Sequence, residues 1–300
     1  MDAVITYVDG LDPLWQEDYR TSMGGPVMAK RFRDWGTLRF LLRGIETHLP
    51  FVRNVYLVVS RESQVPEWAS EKLKIVYHRD IIPERFLPVF NSTAIEMFLH
   101  RIPGLDERFL YFNDDMFPVR DCMEESFFKD GKCAMGFARS LFFGNLYKRQ
   151  SRNSDVLARK ALGRRPGLTF MRPQHTCSPM IRSASEEVYG AVEAEIMASI
   201  TRTREARNLN QYLFLDYLYY SGRAVNRRIS NRHLSLATAS IDQICSFLSR
   251  PTCDLVCIND VHMDEEKFRE YRTRMLEAFE KALPVRSRFE RSFYPGNPTD

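Results

Sequence analysis

Residues 109–115 read Phe-Leu-Tyr-Phe-Asn-Asp-Asp. The first four are apolar or aromatic, which is typical of a short buried β-strand. Two adjacent carboxylates directly after a buried strand are costly to desolvate unless a cation pairs with them. Because ligands bind at the carboxyl ends of strands in open α/β sheets, Asp114 and Asp115 predict a site for a hard divalent cation carrying a diphosphate. Asn and Asp are also good turn residues, so a plain turn is the alternative interpretation.

The residues before this stretch repeat the arrangement of a strand followed by polar side chains. Apolar runs predict strands at 3–8, 55–59 and 73–77, and the remaining pattern predicts helices at 37–48 and 93–100. The order strand, helix, strand, strand, helix, strand predicts an α/β fold in which helices cover a mostly parallel sheet. Because polar residues follow the other strands as well, we expect them to meet the acidic pair at one sheet edge. These residues are Asp9, Asp12, His78 and Asp80.

The composition is that of an ordinary globular chain of 300 residues, with 44% hydrophobic and 27% charged residues. A net charge of +4 is too small to indicate nucleic-acid binding. A predicted strand follows Met1 directly and no apolar run approaches about 20 residues, so we expect neither a signal peptide nor a membrane span. None of the six cysteines forms a Cys-x-x-Cys pair, which gives little support for a zinc site and favours reduced thiols in a cytoplasmic protein.

The segment 139–182 is strongly basic, and Asp155 is its single acidic residue. Such a segment could face phosphates, a polyanionic product or an anionic membrane surface, and a solvated basic insertion is the equal alternative. Within it, His175 lies in a loop between two prolines and is flanked by Arg172 and Arg182. A single histidine is more often structural than catalytic, but this one is a candidate general base beside a phosphate.

Four parts of the chain resemble the four conserved regions of the Stealth family of sugar-phosphate transferases. They are residues 2–13, residues 31–115, residues 175–182 with 204–210, and residues 257–260. The second region is the most specific, with Arg-Phe-Arg-Asp at its start, Phe-Asn-Ser in its middle and Asn-Asp-Asp at its end. Two positions depart from the family pattern, because Trp35 replaces a small polar residue and Asn208 replaces an acidic one. The second departure leaves Arg202 and Arg207 open as alternatives to Arg204.

The resemblance implies a nucleotide-sugar transferase architecture of the GT-A type with a helical C-terminal part. It implies a UDP-hexose donor of the UDP-N-acetylhexosamine class and a glycan acceptor in capsular or exopolysaccharide synthesis. The acceptor hydroxyl attacks the phosphorus next to the sugar, hexose 1-phosphate is transferred, and UMP leaves. The chain then divides into a nucleotide-sugar-binding part at 1–138, the basic insertion at 139–182, and a helical part at 183–300 that completes one active site.

The resemblance also implies roles for individual residues. His175 would take the proton of the acceptor hydroxyl, and Arg204 would stabilise charge on the transferred phosphate. Asp115 with Asp114 and Asp260 would hold Mg²⁺ or Mn²⁺. The remaining polar residues of the four regions would form the substrate pocket, namely Asp9, Asp12, Arg33, Asp34, Arg39, Asn91, Glu96, His100, Asn113 and Asn259.

Two other classes of function fit the acidic strand end. A metal-dependent glycosyltransferase would use the same acids but release UDP. A non-catalytic module would use the basic segment to bind a phosphorylated glycan without metal or nucleotide. We expect a cytoplasmic enzyme without a nucleic-acid partner, and the basic segment leaves association with the inner membrane surface as an open alternative.

Overall fold

The computed structural model describes residues 1–25, 32–141 and 144–292. Arg31, the first residue of the second conserved region, lies outside these residues. The strands are β1 (Asp2–Thr6), β2 (Asn54–Val59), β3 (Leu73–Tyr77), β4 (Arg108–Asn113), β5 (Met116–Pro118), β6 (Phe128–Lys129), β7 (Lys132–Met135), β8 (Phe137–Ser140), β9 (Phe170–Pro173), β10 (Ser178–Ile181), β11 (Ala224–Asn226), β12 (Asn231–Ser235) and β13 (Leu255–Asn259).

The α-helices of the described residues both cover the sheet and connect its strands. They are α1 (Pro13–Met23), α2 (Leu38–His48), α3 (His78–Ile81), α4 (Ser92–Glu96), α5 (Leu146–Ala161), α6 (Arg182–Ala191), α7 (Glu193–Ser199), α8 (Tyr212–Tyr220), α9 (Ile241–Ser249) and α10 (Glu265–Ala282). In this part of the chain, no helix combines the length and the hydropathy needed to cross a membrane.

The acidic stretch follows a strand of the five-stranded central sheet, whose order is β10-β4-β1-β2-β3. Strands β4, β1, β2 and β3 are parallel, and β10 is antiparallel to β4. Thr6 at the end of β1 pairs with Asn113 on one side and with Val58 on the other. The carboxyl ends of the central strands therefore lie at one edge, and the predicted α/β fold with a mostly parallel sheet is confirmed.

The inner strands β1, β2 and β4 are buried on both faces of this sheet, because helices cover both. Consecutive strand residues point to opposite sides, so Val4 and Ile5 belong to different apolar clusters. Leu41 and Ile45 of α2 pack in the cluster that holds Ile5. Leu213 of α8 packs in the cluster that holds Val4. The interiors of β1, β2 and β4 are therefore apolar, whereas the edge strand β3 carries the exposed Lys74.

A second sheet brings the C-terminal part of the chain to the acidic edge. Its order is β12-β13-β5, with β13 parallel to β12 and antiparallel to β5. The backbone N–H of Ile258 donates to the carbonyl of Asp115 at 2.9 Å. This pairing places the end of β13, with Asn259 and Asp260, beside the end of β4.

The basic segment 139–182 is folded into the body of the protein. Helix α5 packs against α8 and β9, and strand β10 pairs with β4 in the central sheet. Its single acid, Asp155, is buried and accepts hydrogen bonds from Arg159 Nε and from the backbone N–H of Met171, both at 2.8 Å. The segment thus supplies an edge strand of the central sheet.

Two predicted helices differ from those observed. The helix predicted at 93–100 ends at Glu96 and is followed by a 3₁₀ turn at Leu99–Arg101. The helix expected at the start of the helical part 183–300 divides into α6 and α7 at Val192, whose backbone angles (φ −137°, ψ 32°) leave the helical region. Val192 is itself 2% exposed, so packing of its side chain favours a bend over a straight continuation.

Candidate active site

A cavity of about 660 Å³ lies at the carboxyl edge of the central sheet. Its walls come from the ends of β1, β4 and β13, from the residues before α2 and α4, and from two loops of the C-terminal half. Most of the predicted site residues line it, namely Arg33, Asp34, Asn91, Asn113, Asp114, Asp115, His175, Arg204, Asn259 and Asp260. Residues separated by more than 200 positions in the sequence therefore meet in one enclosed space.

The acidic wall of the cavity is formed by Asp114 and Asp115. Burial raises the pKa of Asp114 to about 8, and the neighbouring Asp115 and Asp34 carboxylates add to the increase. Burial also raises the pKa of Asp115 to about 6, although the Cys257 thiol donates to its Oδ2 at 3.4 Å and opposes the shift. The Oδ1 atom of Asp115 is buried and has no hydrogen-bond partner. Such carboxylates gain most from a cation that neutralises them.

The acidic wall suits a hard divalent cation bound partly by substrate. Mg²⁺ is usually held by one or two carboxylates together with waters and phosphate oxygens. Asp115 Oδ1, which has no hydrogen-bond partner, and the neighbouring Asp114 carboxylate would supply the protein ligands of such an ion. Asp260 lines the same cavity and adds a third carboxylate. Burial raises its pKa, and the positive charge of Arg33 opposes this shift.

Arg204, which lies on the loop 201–208, also lines the cavity. Its Nη2 donates to Ser92 Oγ at 2.6 Å. Ser92 is the first residue of α4 and, like Ile95 of the same helix, lines the cavity. Of the other two candidates, Arg207 pairs with Glu205 at 3.1 Å, and neither Arg207 nor Arg202 lines the cavity. Of the three candidate arginines of this loop, Arg204 is therefore the one that lines the cavity.

Two buried asparagines hold the loop that carries Arg204. The Asn91 amide donates to the carbonyls of Thr201 and Thr203, both at 3.3 Å, and to Asn208 Oδ1 at 3.1 Å. Asn208 Oδ1 also accepts from the backbone N–H of Glu205 at 2.6 Å, while its Nδ2 donates to the Ser199 carbonyl at 2.7 Å. The side-chain amide of Asn208 thus both donates and accepts hydrogen bonds that hold the loop, at a position where the family pattern has an acidic residue.

His175 completes the cavity at the side of the basic segment. Burial lowers the pKa of His175 to about 4, and the neighbouring His233 adds to the decrease. The imidazole is therefore neutral near pH 7 and able to accept a proton. Its Nδ1 is buried without a hydrogen-bond partner, and the backbone carbonyl of His175 accepts from Asn231 Nδ2 at 2.9 Å.

Several predicted site residues do not line the cavity and support its walls instead. Asp12 caps α1 and accepts hydrogen bonds from Ser63 Oγ at 2.5 Å and Gln64 Nε2 at 2.8 Å. Asp9 Oδ1 accepts from the backbone N–H of Leu11 at 2.8 Å. These contacts order the loop after β1.

The other three of these residues also lie outside the lining. Arg39 lies over the ring of Trp68, 5.2 Å from its centroid. His100 is buried against the rings of Tyr189 and Phe214. Glu96 is buried and accepts from the backbone N–H of Gln211 at 2.8 Å, and burial raises its pKa to about 7 despite the positive charge of Arg204.

Sequence reasoning missed an aromatic wall of the cavity. Trp15, Phe32 and Phe90 line it, and their ring centroids lie about 5 Å apart in a single cluster with Tyr19. The signal was weak, because these rings come from three segments and each one is followed or preceded by polar residues. Flat apolar surface beside cations and carboxylates is what a nucleobase or a sugar ring requires.

Comparison with known proteins agrees with this geometry. The family model described as Stealth protein CR2, conserved region 2, matches residues 31–135, which end with β7 and contain the acidic wall. The chain is 31% identical to the capsular polysaccharide phosphotransferase WcwK of Streptococcus pneumoniae, over 97% of this chain and 99% of that relative. It is 32% identical to the receptor polysaccharide phosphotransferase WefC of Streptococcus oralis, with the same coverage.

A longer relative shows the same similarity within a larger protein. The exopolysaccharide phosphotransferase SCO2592 of Streptomyces coelicolor is 30% identical over 97% of this chain, which corresponds to 33% of that relative. The matched part includes both the acidic wall and the segments that carry His175 and Arg204. The chain therefore belongs to the Stealth family of phosphotransferases.

Proposed function

We propose that this protein transfers hexose 1-phosphate from a UDP-hexose to a sugar hydroxyl, with release of UMP, during capsular or exopolysaccharide synthesis. The observation that carries this proposal is that one cavity contains two adjacent buried carboxyl groups with raised pKa values, an arginine and a neutral histidine. The names of the relatives, which are polysaccharide phosphotransferases, support the same reaction class. The donor class, UDP-N-acetylhexosamine, follows from the family resemblance.

The reaction exchanges one phosphorus–oxygen bond for another. The acceptor oxygen forms a bond to the phosphorus next to the sugar, the bond from that phosphorus to the bridging oxygen breaks, and the electron pair leaves with UMP. His175 takes the acceptor hydroxyl proton, which its low pKa leaves it free to accept at neutral pH. Phosphoryl transfer depends mainly on positioning and charge neutralisation, so the protein needs no covalent intermediate.

The chain supplies cations where the transferred phosphate gains charge. Arg204 presents a planar guanidinium, which suits phosphate oxygens. Arg33 lies with its guanidinium carbon 4.3 Å from the centroid of the Phe268 ring, and its buried Nη1 has no hydrogen-bond partner. Because a buried donor without a partner is costly, Arg33 Nη1 would make a second contact to the diphosphate.

A divalent cation fits on the acidic side of the same cavity. Asp114 and Asp115 would hold Mg²⁺ or Mn²⁺, with Asp260 or Asn259 assisting. Bound there, the ion would neutralise the diphosphate and the leaving UMP. Asp34, whose pKa is raised by burial, would accept a hydrogen bond from a donor hydroxyl or share its proton with one.

The test is to identify the nucleotide that is released. The protein is incubated with UDP-N-acetylglucosamine and other UDP-hexoses, an acceptor mixture and Mg²⁺, and UMP is separated from UDP. We expect Mg²⁺-dependent UMP that is lost in Asp115→Asn and retained in Asp130→Asn, an exposed acid in the turn between β6 and β7. UDP as the product would instead establish a glycosyltransferase, and glycan binding without either nucleotide would indicate the non-catalytic module.

A further inference from the structure

A second group of metal-ligating side chains lies beside the acidic wall. His233 and Cys257 are register partners on the parallel strands β12 and β13, and His175 reaches them from the loop between β9 and β10. One ligand atom from each of the three lies within 4.8 Å of the other two. Within residues 1–25, 32–141 and 144–292, no other three potential ligands of the His, Cys, Asp and Glu types are so close.

The chemistry of this group differs from that of the acidic wall. Two imidazoles and one thiolate form a borderline-soft set that favours Zn²⁺ over Mg²⁺, which prefers oxygen ligands. Around a tetrahedral zinc ion, with bonds of about 2.0–2.3 Å, neighbouring ligand atoms lie roughly 3.5 Å apart. The observed spacing therefore requires a side-chain movement of about 1 Å. Three protein ligands would leave a fourth position for water or substrate.

Independent contacts indicate that these ligand atoms are available. The Nδ1 atom of His175 is buried and has no hydrogen-bond partner. The Cys257 thiol donates to Asp115 Oδ2 at 3.4 Å, and its sulfur keeps lone pairs that can bind a metal once the proton is lost. His233 is exposed, so an ion can reach the group from solvent, while Cys257 is fully buried behind it. The centroids of the two imidazole rings lie 5.7 Å apart, and the ring planes are tilted by 58°.

We propose that His175, His233 and Cys257 bind Zn²⁺ or a similar thiophilic divalent ion, and that this ion inhibits the enzyme. On binding, the Cys257 thiol loses its proton to solvent and both imidazoles coordinate in the neutral form. The bound ion occupies His175, which can then no longer take the acceptor proton, and it removes the thiol hydrogen bond to Asp115. This inhibition rests on the proposed function, whereas the binding itself does not.

The binding is tested without substrate, using Co²⁺ as a spectroscopic probe of the full chain after chelator treatment. We expect a cobalt–thiolate charge-transfer absorption that excess Mg²⁺ leaves in place and Zn²⁺ abolishes. The absorption should disappear in Cys257→Ser and persist in the matched control Cys245→Ser, a half-buried thiol on α9. Since the buried serine substitution can impair folding, His233→Ala at the exposed ligand provides a second variant, in which cobalt affinity should fall roughly tenfold or more. No absorption in the wild type, or full absorption in Cys257→Ser, would overturn the site.

Inhibition is tested separately in the UMP-release assay with saturating Mg²⁺. We expect Zn²⁺ to inhibit the wild type, and His233→Ala to require a roughly tenfold or more higher Zn²⁺ concentration. Equal Zn²⁺ sensitivity in both proteins would overturn the inhibitory role. Because the cobalt measurement needs no turnover, failure of the proposed reaction and failure of the metal site give different results.

Discussion

At the scale of single residues, burial in the cavity favours the neutral forms of its ionisable groups. Burial raises the pKa of Asp114 to about 8 and of Asp115 to about 6, and lowers the pKa of His175 to about 4. Protonated carboxylic acids lose their protons when a cation approaches, and a neutral imidazole is ready to accept one. The environment thus shifts these pKa values in opposite directions, as the proposed roles of metal ligand and base require.

The free energy of unfolding should report the buried Asp114 carboxyl. Its pKa lies above the ordinary value of 3.8, so its contribution to stability is present below pH 3.8 and is lost as the pH rises toward 8. In chelator, Asp114→Asn should therefore be about 1–3 kcal/mol more stable than the wild type at pH 8 and nearly equal to it at pH 4. Urea unfolding at both pH values measures this, and equal stability at pH 8 would contradict the buried acid.

His175→Gln tests the proposed base directly. General-base catalysis contributes about 10²–10⁴-fold, so UMP release should fall by that factor while the melting temperature stays near that of the wild type. His48→Gln is the control, because His48 pairs with the exposed Asp121 at the far end of α2 and does not line the cavity. Normal turnover in His175→Gln would remove this residue from the mechanism.

At the scale of elements, the loop 201–208 positions Arg204 through side-chain amides. This loop contains no helix or strand, and Asn91 and Asn208 replace the backbone hydrogen bonds that such an element would provide. Asn91 also caps α4 by accepting from the backbone N–H of Thr93 at 3.2 Å. One residue thus joins the start of a helix to the loop that carries Arg204.

Asn91→Ala removes both roles of the residue, and comparison with a variant that loses only a helix cap separates them. Loss of an N-cap costs about 1 kcal/mol, and the loss of the loop contacts should in addition reduce turnover at least tenfold by displacing Arg204. Ser240→Ala removes the cap of α9, where Ser240 Oγ accepts from the backbone N–H of Gln243, and it should reduce stability alone. Melting temperature and UMP release are measured for both. Equal activity of the two variants would show that Asn91 has only a capping role.

At the scale of the whole molecule, a buried ion pair joins α2 to the C-terminal residues. Arg43 is 2% exposed and donates to both carboxylate oxygens of Glu290, at 2.9 and 3.0 Å. It also donates to Glu280 and to the carbonyl of Leu283, each at 2.9 Å. The end of the described chain is therefore fastened to the helix that covers the sheet behind the cavity.

Arg43→Ala should reduce the free energy of unfolding by about 3–5 kcal/mol, because it leaves the buried Glu290 carboxylate without its cation. The control is Lys160→Ala, which removes a surface ion pair with Glu195 and should cost at most about 1 kcal/mol. Urea unfolding measures both. A small loss in Arg43→Ala would show that the C-terminal residues contribute little to stability.

The sequence alone was enough for the elements whose pattern is local. Strands β1 to β4 are short apolar runs between polar residues, and the acids that follow β4 mark the active edge because parallel strands end together. His175 could be proposed from its loop and its flanking arginines. These features depend on neighbours a few residues apart, so a pattern along the chain reveals them.

Only the tertiary structure decided which distant residues meet. Arg204 lines the cavity, whereas Arg202 and Arg207 do not. Asp12, Glu96 and His100 make supporting contacts away from the cavity lining. The tertiary structure also brought His233 and Cys257 to His175, although the cysteine spacing gave little support for a metal site. The physical reason is that strand pairing and the packing of buried side chains determine these contacts, and neither is encoded in local sequence spacing.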